Sequence, residues 1–233
     1  MTRPGTDFVR YDFHHAVGGF VEFPTSNAIA LLPPQIQPVE PHHGRSVLSV
    51  MAFDFRDSPV GAYGELVLSV LVAPRLTPGH ALPRAAFYPF CVGTTTVVSR
   101  DHAIERWRLP HFMSDIQLSM RADDGDMRVA ASQDGNAIID MRITDYEWEP
   151  VRHRYQCVMH DAAGHFMAEI DMAGAYSENE EERGKLTIHP HAFNAALDRE
   201  AVNTTPFREL WMRAGHQMFH PLQQVAPGAA GVA

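Results

Sequence analysis

Two short stretches of this sequence carry side chains whose type and setting suit acid–base chemistry. In Tyr63-Gly64-Glu65 a carboxyl group opens the apolar run 65–72. An unpaired carboxylate in an apolar wall is costly. Glu65 therefore either faces a cavity, where it suits a general acid or base, or stands solvated at the rim of a strand. In Leu109-Pro110-His111-Phe112 an imidazole follows a proline. Imidazole changes charge near neutral pH, so His111 suits a proton shuttle or a carbonyl polariser. The other reading is a hydrogen-bonded structural residue, the commoner fate for a chain with 14 histidines.

Other chemistries lack their residues. The chain has one lysine, Lys185, beside Glu180, Glu181, Glu182 and Arg183. A nucleophilic lysine needs an apolar pocket or a cationic neighbour, and three glutamates supply neither. The two cysteines, Cys91 and Cys157, lie in apolar strand-like stretches and read as buried thiols. No G-x-S-x-G elbow occurs. Gly18-Gly19 lacks the spacing of a nucleotide loop, so no cofactor is expected. His14-His15, His42-His43 and His189-Pro190-His191 are the suggestive metal pairs. Adjacent residues of an extended chain point to opposite sides, and no metal site is expected.

The bulk numbers exclude whole classes of function. A formal charge of −9 argues against nucleic acid, which requires a basic stripe. No apolar run is long enough to span a bilayer as a helix, and the N-terminus does not read as a signal peptide. The expected location is cytoplasmic. With 45% apolar and 20% charged residues, the 233 residues read as one domain with a sizeable core.

Residues 1–24 read as an irregular arm rich in Gly, Pro and His, and 221–233 as a disordered tail. Between them Ser26 is expected to cap a short helix over 27–32, and strands are expected at 47–55, 65–72 and 87–98. In the first strand Leu48, Val50, Ala52 and Asp54 face one way, and Val47, Ser49, Met51, Phe53 and Phe55 the other. Ser99 reads as the N-cap of a helix carrying Ala103, Ile104 and Trp107. Three alternating runs follow: Ile116, Leu118, Met120; Met127, Val129, Ala131; and Ala137, Ile139, Met141, Ile143. They are separated by Asp124-Gly125 and Asp134-Gly135, which predicts an antiparallel meander. A further hairpin is expected to join 155–159 to 166–170, and helices to occupy 191–199 and the segment carrying Phe207, Leu210, Trp211 and Ala214. The expected class is α+β, mostly antiparallel β: a closed or cone-like β-barrel with a few peripheral helices, able to hold a small ligand inside.

Three blocks give a more particular reading. Ala30-Leu31-Leu32-Pro33 with Gln35-Ile36-Gln37-Pro38, then Tyr63-Gly64-Glu65, then Ser99-Arg100-Asp101 with Leu109-Pro110-His111-Phe112 stand in the order of the acetoacetate decarboxylase family's motifs. The sequence resembles that family over roughly residues 25 to 120, and the meander suits its β-cone. The resemblance implies that Glu65 points into the cavity, with Tyr63 and Arg100 at substrate-handling positions. It also puts His14 roughly where the family has a substrate-facing arginine. Arg100 and Asp101 can instead simply brace their helix, and His14 can belong to a flexible arm.

The departures carry as much information. His111 stands where the family's Schiff-base lysine would be, Phe112 replaces the second lysine, and about four extra residues precede Leu109. Imidazole forms no stable iminium with a ketone. The expectation is an enzyme acting on a small carbonyl or keto-acid-like compound without lysine, with Glu65 and His111 as an acid–base pair. Decarboxylation, retro-aldol cleavage, hydration or dehydration, and tautomerisation all fit. Phe112 and Trp107 would add apolar surface for a larger substrate. The rival is a small-molecule binder that kept the cavity without the chemistry. The resemblance also implies a homo-oligomer.

Overall fold

The computed structural model describes residues 7–76, 79 and 81–226. Its core is a β-barrel. Strands β1 (Val9–Pro24), β2 (Arg45–Asp57), β3 (Tyr63–Val72) and β4 (Ala85–Thr94) follow one another antiparallel. Short β5 (His111–Met113) pairs parallel with the far end of β4. After the outer sheet, β9 (Glu149–Asp161) joins the near end of β4, also parallel, and β10 (Gly164–Asn179) returns beside it. Strand β12 (Arg208–Phe219) pairs with both β10 and β1, which closes a seven-stranded barrel.

The outer sheet is the predicted meander: β6 (Gln117–Asp123), β7 (Asp126–Gln133) and β8 (Asn136–Thr144), with β11 (Lys185–Ile188) on its edge. Asp124 (φ 41°) with Gly125 (φ 84°), and Asp134 (φ 49°) with Gly135 (φ 79°), form the two connecting turns. Positive φ at both central residues matches the twist of the flanking strands, which explains the Asp-Gly choice. The predicted hairpin between β9 and β10 is also present.

Two cores result. Between barrel and outer sheet, Leu48, Val50, Ala52, Leu66, Leu68 and Val70 pack with Met127, Val129, Met141 and Ile143. Inside the barrel lie Phe53, Phe55, Tyr155, Met172, Met212 and Phe219. The two-residue period of β3 thus sends Leu66 and Leu68 outward to the sheet and Glu65, Val67 and Ser69 inward. A one-residue slip would bury the carboxyl group between the sheets.

Several expectations are corrected. Residues 9–24 of the supposed irregular arm form β1, paired on both edges, with Val17 and Val21 in the outer core and Ala16 and Phe20 in the inner one. The segment expected as a C-terminal helix is β12, with Leu210 and Met212 inside and Trp211 outside. Residues 16–21 of β1 and 209–212 of β12 are buried on two faces, so the polar–apolar alternation that announces a strand lapses there, although Val9, Tyr11 and Phe13 do alternate with Arg10, Asp12 and His14. Gly215 on β12 permits a close approach, since a Cβ there would stand 2.5 Å from the Ala173 carbonyl oxygen. The expected helix at 191–199 is reduced to 3-10 turns at Ala192–Asn194 and Arg199–Ala201. In the expected tail, Gln223–Val225 forms β13 against β10, and 227–233 lie outside the described residues, as do 1–6.

The helices shift by a few residues. Helix α1 covers Thr25–Leu31 without a side-chain cap, so Ser26 lies inside it. Strand β4 ends at Thr94, and Val97 and Val98 begin α2 (Val97–Trp107). Its N-cap is Thr96, whose Oγ1 accepts from the Ser99 amide, not Ser99 itself. No helix among the described residues is long and apolar enough to cross a membrane.

Candidate active site

Helix α2 sets up the site. It ends at Arg108 in the left-handed region (φ 60°), whose amide satisfies the Ala103 and Ile104 carbonyls. The chain then turns through Leu109-Pro110 into β5, where His111 pairs in register with Val92. On the other edge of β4, Thr94 is paired with Glu65. Strand pairing therefore brings together two residues 46 positions apart, and His111 Nε2 stands 3.5 Å from Glu65 Oε2.

Both side chains are shielded: the imidazole is 0% and the carboxyl group 9% exposed. Neither His111 ring nitrogen has a hydrogen-bond partner among the described residues. At 3.5 Å the pair is an electrostatic contact slightly long for a hydrogen bond, a separation common for catalytic pairs before substrate tightens them. Leaving a buried imidazole otherwise unpartnered has a cost.

Glu65 lines a chamber of about 100 Å³ inside the barrel. Around it stand Phe20, Phe53, Phe87 and Phe219 with Met51, Met172 and Met212, and the polar wall groups are Ser69, Tyr155, Cys157, Tyr176 and Gln217. His111 is not on this lining but behind Glu65. Burial pushes the Tyr155 hydroxyl and the Cys157 thiol each up to about 12, so both stay protonated at neutral pH. Burial raises Tyr176 further still, with smaller contributions from Tyr155 and Glu178 that Arg84 opposes.

A second polar group closes one end of the barrel. The indole Nε1 of Trp107 donates to Tyr11 Oη at 2.7 Å, and that hydroxyl lies 2.8 Å from His102 Nε2. Burial raises the Tyr11 hydroxyl well above its usual range, with a smaller contribution from the negative charge of Glu65. Tyr63 is likewise raised by burial and then by Glu65. It is buried against Phe55, with ring centres 4.8 Å apart.

The remaining expected substrate contacts do not converge here. Arg100 donates from Nε and Nη2 to Asp101 Oδ1 at 2.9 and 2.8 Å on the surface of α2. Arg100 Nη1 also reaches Ser114 Oγ at 3.5 Å. Phe112 is 54% exposed, because β5 alternates and His111 takes the inward face; its ring meets Phe193 edge-on. His14 is exposed at an irregularity of β1 between Phe13 and His15, where the strand pairs with β2. Trp107 is buried on Phe219 and off the chamber lining, so it adds no substrate surface. The wall residues Tyr155, Tyr176 and Gln217 lie on β9, β10 and β12, and no motif marks them. Among the described residues, no three His, Cys, Asp or Glu side chains converge as a metal site.

Comparison with known proteins supports the fold. No protein-family model and no curated protein matches the chain. Among solved structures, the acetoacetate decarboxylase of Legionella pneumophila is similar over 96% of this chain and 88% of its own, at TM-score 0.63 and 14% identity. An acetoacetate decarboxylase-like enzyme from Sphingomonas wittichii is similar over 95% and 94%, at TM-score 0.59 and 14% identity. The enduracididine biosynthesis enzyme MppR, complexed with pyruvate, is similar over 97% and 93%, at TM-score 0.58 and 12% identity. The chain has the acetoacetate decarboxylase-like fold.

Proposed function

We propose that this protein is an enzyme that moves protons on a small carbonyl compound, with Glu65 as the group that meets the substrate and His111 as its positioning partner. The observation that carries this reading is the 3.5 Å contact between a chamber-lining carboxyl group and a buried imidazole with no other partner. Glu65 takes a proton from the carbon next to the carbonyl. The bonding pair moves into an enolate, and the proton returns to carbon or to oxygen. His111 holds the carboxyl group in place and supplies a second proton-exchanging site next to it. A neutral hydroxyl on the chamber wall is a suitable donor to the developing oxyanion.

No lysine takes part in this scheme. Lys185 is exposed on β11, in the outer sheet, and the other 18 cations are arginines, which form no Schiff base under these conditions. Lysine-independent decarboxylation, retro-aldol cleavage, hydration or dehydration, and tautomerisation all begin or end with such a proton transfer.

The apolar lining favours a second reading, a carrier that binds a small molecule without turning it over. One measurement separates the two. Deuterium exchange into the carbons flanking the carbonyl, followed by NMR in D₂O with 4-phenylbutan-2-one and with 2-oxo-4-phenylbutanoate, is expected to be accelerated by the wild-type protein. Glu65→Gln should lower that rate by ~10²- to 10⁴-fold while retaining ligand binding. Binding of either compound with no exchange above background by wild-type protein would establish the carrier.

A further inference from the structure

We infer that the substrate of this chamber is an uncharged carbonyl compound with an apolar or aromatic body, not a keto acid. The inference rests on the acid–base reading of Glu65 and narrows its substrate. Of the 19 described residues that line the chamber, none is Lys, Arg or His, and the only ionisable carboxyl group is Glu65.

A carboxylate drawn into this space would leave water without meeting a cation. Burial of an ionised carboxylate is tolerated only when it is paired and hydrogen-bonded, and here the nearest charge at the wall has the same sign. If His111 carries a proton, its charge faces Glu65 across 3.5 Å and is already matched. Outside the lining, Arg84 stands 5.7 Å from the ring centre of Tyr176 and is paired with Glu178.

What the wall does offer suits a neutral oxygen. The Tyr176 hydroxyl is buried beside Tyr155 and Glu178, and Ser69 and Gln217 add uncharged polar groups. A ketone or aldehyde oxygen accepts from such donors, and its hydrocarbon remainder replaces water against Phe20, Phe53, Phe87 and Phe219. The reaction then consists of proton transfers alone. The C–H pair forms the enolate, Glu65 carries the proton, and reprotonation at carbon or oxygen gives the isomer, with no leaving carboxylate and no redox partner.

The test uses two probes of the same shape. In 2-oxo-4-phenylbutanoate a carboxylate replaces the methyl group of 4-phenylbutan-2-one. Titration of the intact wild-type protein by calorimetry is expected to show the ketone binding at least ~10-fold more tightly than the keto acid. Glu65→Gln should strengthen keto-acid binding and leave ketone binding within about twofold of wild type. Equal affinities, a preference for the keto acid, binding of neither probe, or no gain for the keto acid in Glu65→Gln would overturn the inference. Deuterium exchange reads the other claim separately: a ketone preference without exchange sinks the acid–base reading and leaves the charge selectivity standing.

Discussion

Glu65 and His111 meet through β4: Glu65 is in register with Thr94 on one edge of that strand, and His111 with Val92 on the other. The carboxyl group reaches the chamber and the imidazole lies behind it. The proposed scheme gives the two residues different work, where the sequence alone treats them as an acid–base pair.

In the proposed scheme His111 acts through Glu65, so its removal should affect turnover more than binding. His111→Gln is expected to lower kcat by ~10²-fold with KM nearly unchanged, since loss of positioning is felt in the reacting geometry. Steady-state kinetics on the ketone that exchanges deuterium would reveal this split. A rise in KM with kcat intact would place His111 in substrate binding instead.

The lack of an amine among the described residues that line the chamber predicts a chemical result. Sodium borohydride added to wild-type protein with 4-phenylbutan-2-one should leave the intact mass unchanged. His111→Lys places a primary amine in an apolar site, where desolvation favours its neutral, nucleophilic form. That variant should gain the mass of one reduced adduct, mapped by peptide digestion to position 111. An adduct on wild-type protein would refute the lysine-free scheme.

Tyr11→Phe probes the end of the barrel. It leaves the Trp107 indole N–H, on a side chain 1% exposed, without its 2.7 Å acceptor. An unsatisfied buried donor costs ~1–3 kcal/mol. Urea unfolding should show that loss as a lower midpoint at unchanged slope, and an unchanged midpoint would show that the contact adds nothing to stability.

Acid stability should depend on Asp171. Burial pushes its carboxyl group up, but hydrogen bonds from Arg154, His220 and Arg152 outweigh burial and hold it well below the usual carboxylate range. A depressed folded value stabilises the native state above the unfolded value of about 3.9, and this contribution is lost as pH falls from there through the folded value. Asp171→Asn should be less stable than wild type at neutral pH, and the gap should narrow as pH drops below about 4. Melting temperatures across that range give the measurement; a gap that is constant with pH would mean that the ionised form plays no part.

Much of the architecture is written locally. The Asp124-Gly125 and Asp134-Gly135 turns and the alternation around them specify the meander, because turn geometry and a two-residue period are properties of neighbours in sequence. The same period, read across 47–55, already separates the two faces of β2. Which face is the inside is another matter. Only closure of β12 onto β1 and β10 makes one side of the barrel a chamber, and the alternation lapses where residues 16–21 and 209–212 are buried on both faces. Closure puts Tyr155, Tyr176 and Gln217 on the wall, and the inward turn of His111 leaves Phe112 at the surface, with Arg100 and His14 there as well. The sequence by itself determined which residues could do chemistry and which strands could pair. Long-range pairing decided which of them share a space, because a side chain's surroundings depend on strands far away in the chain.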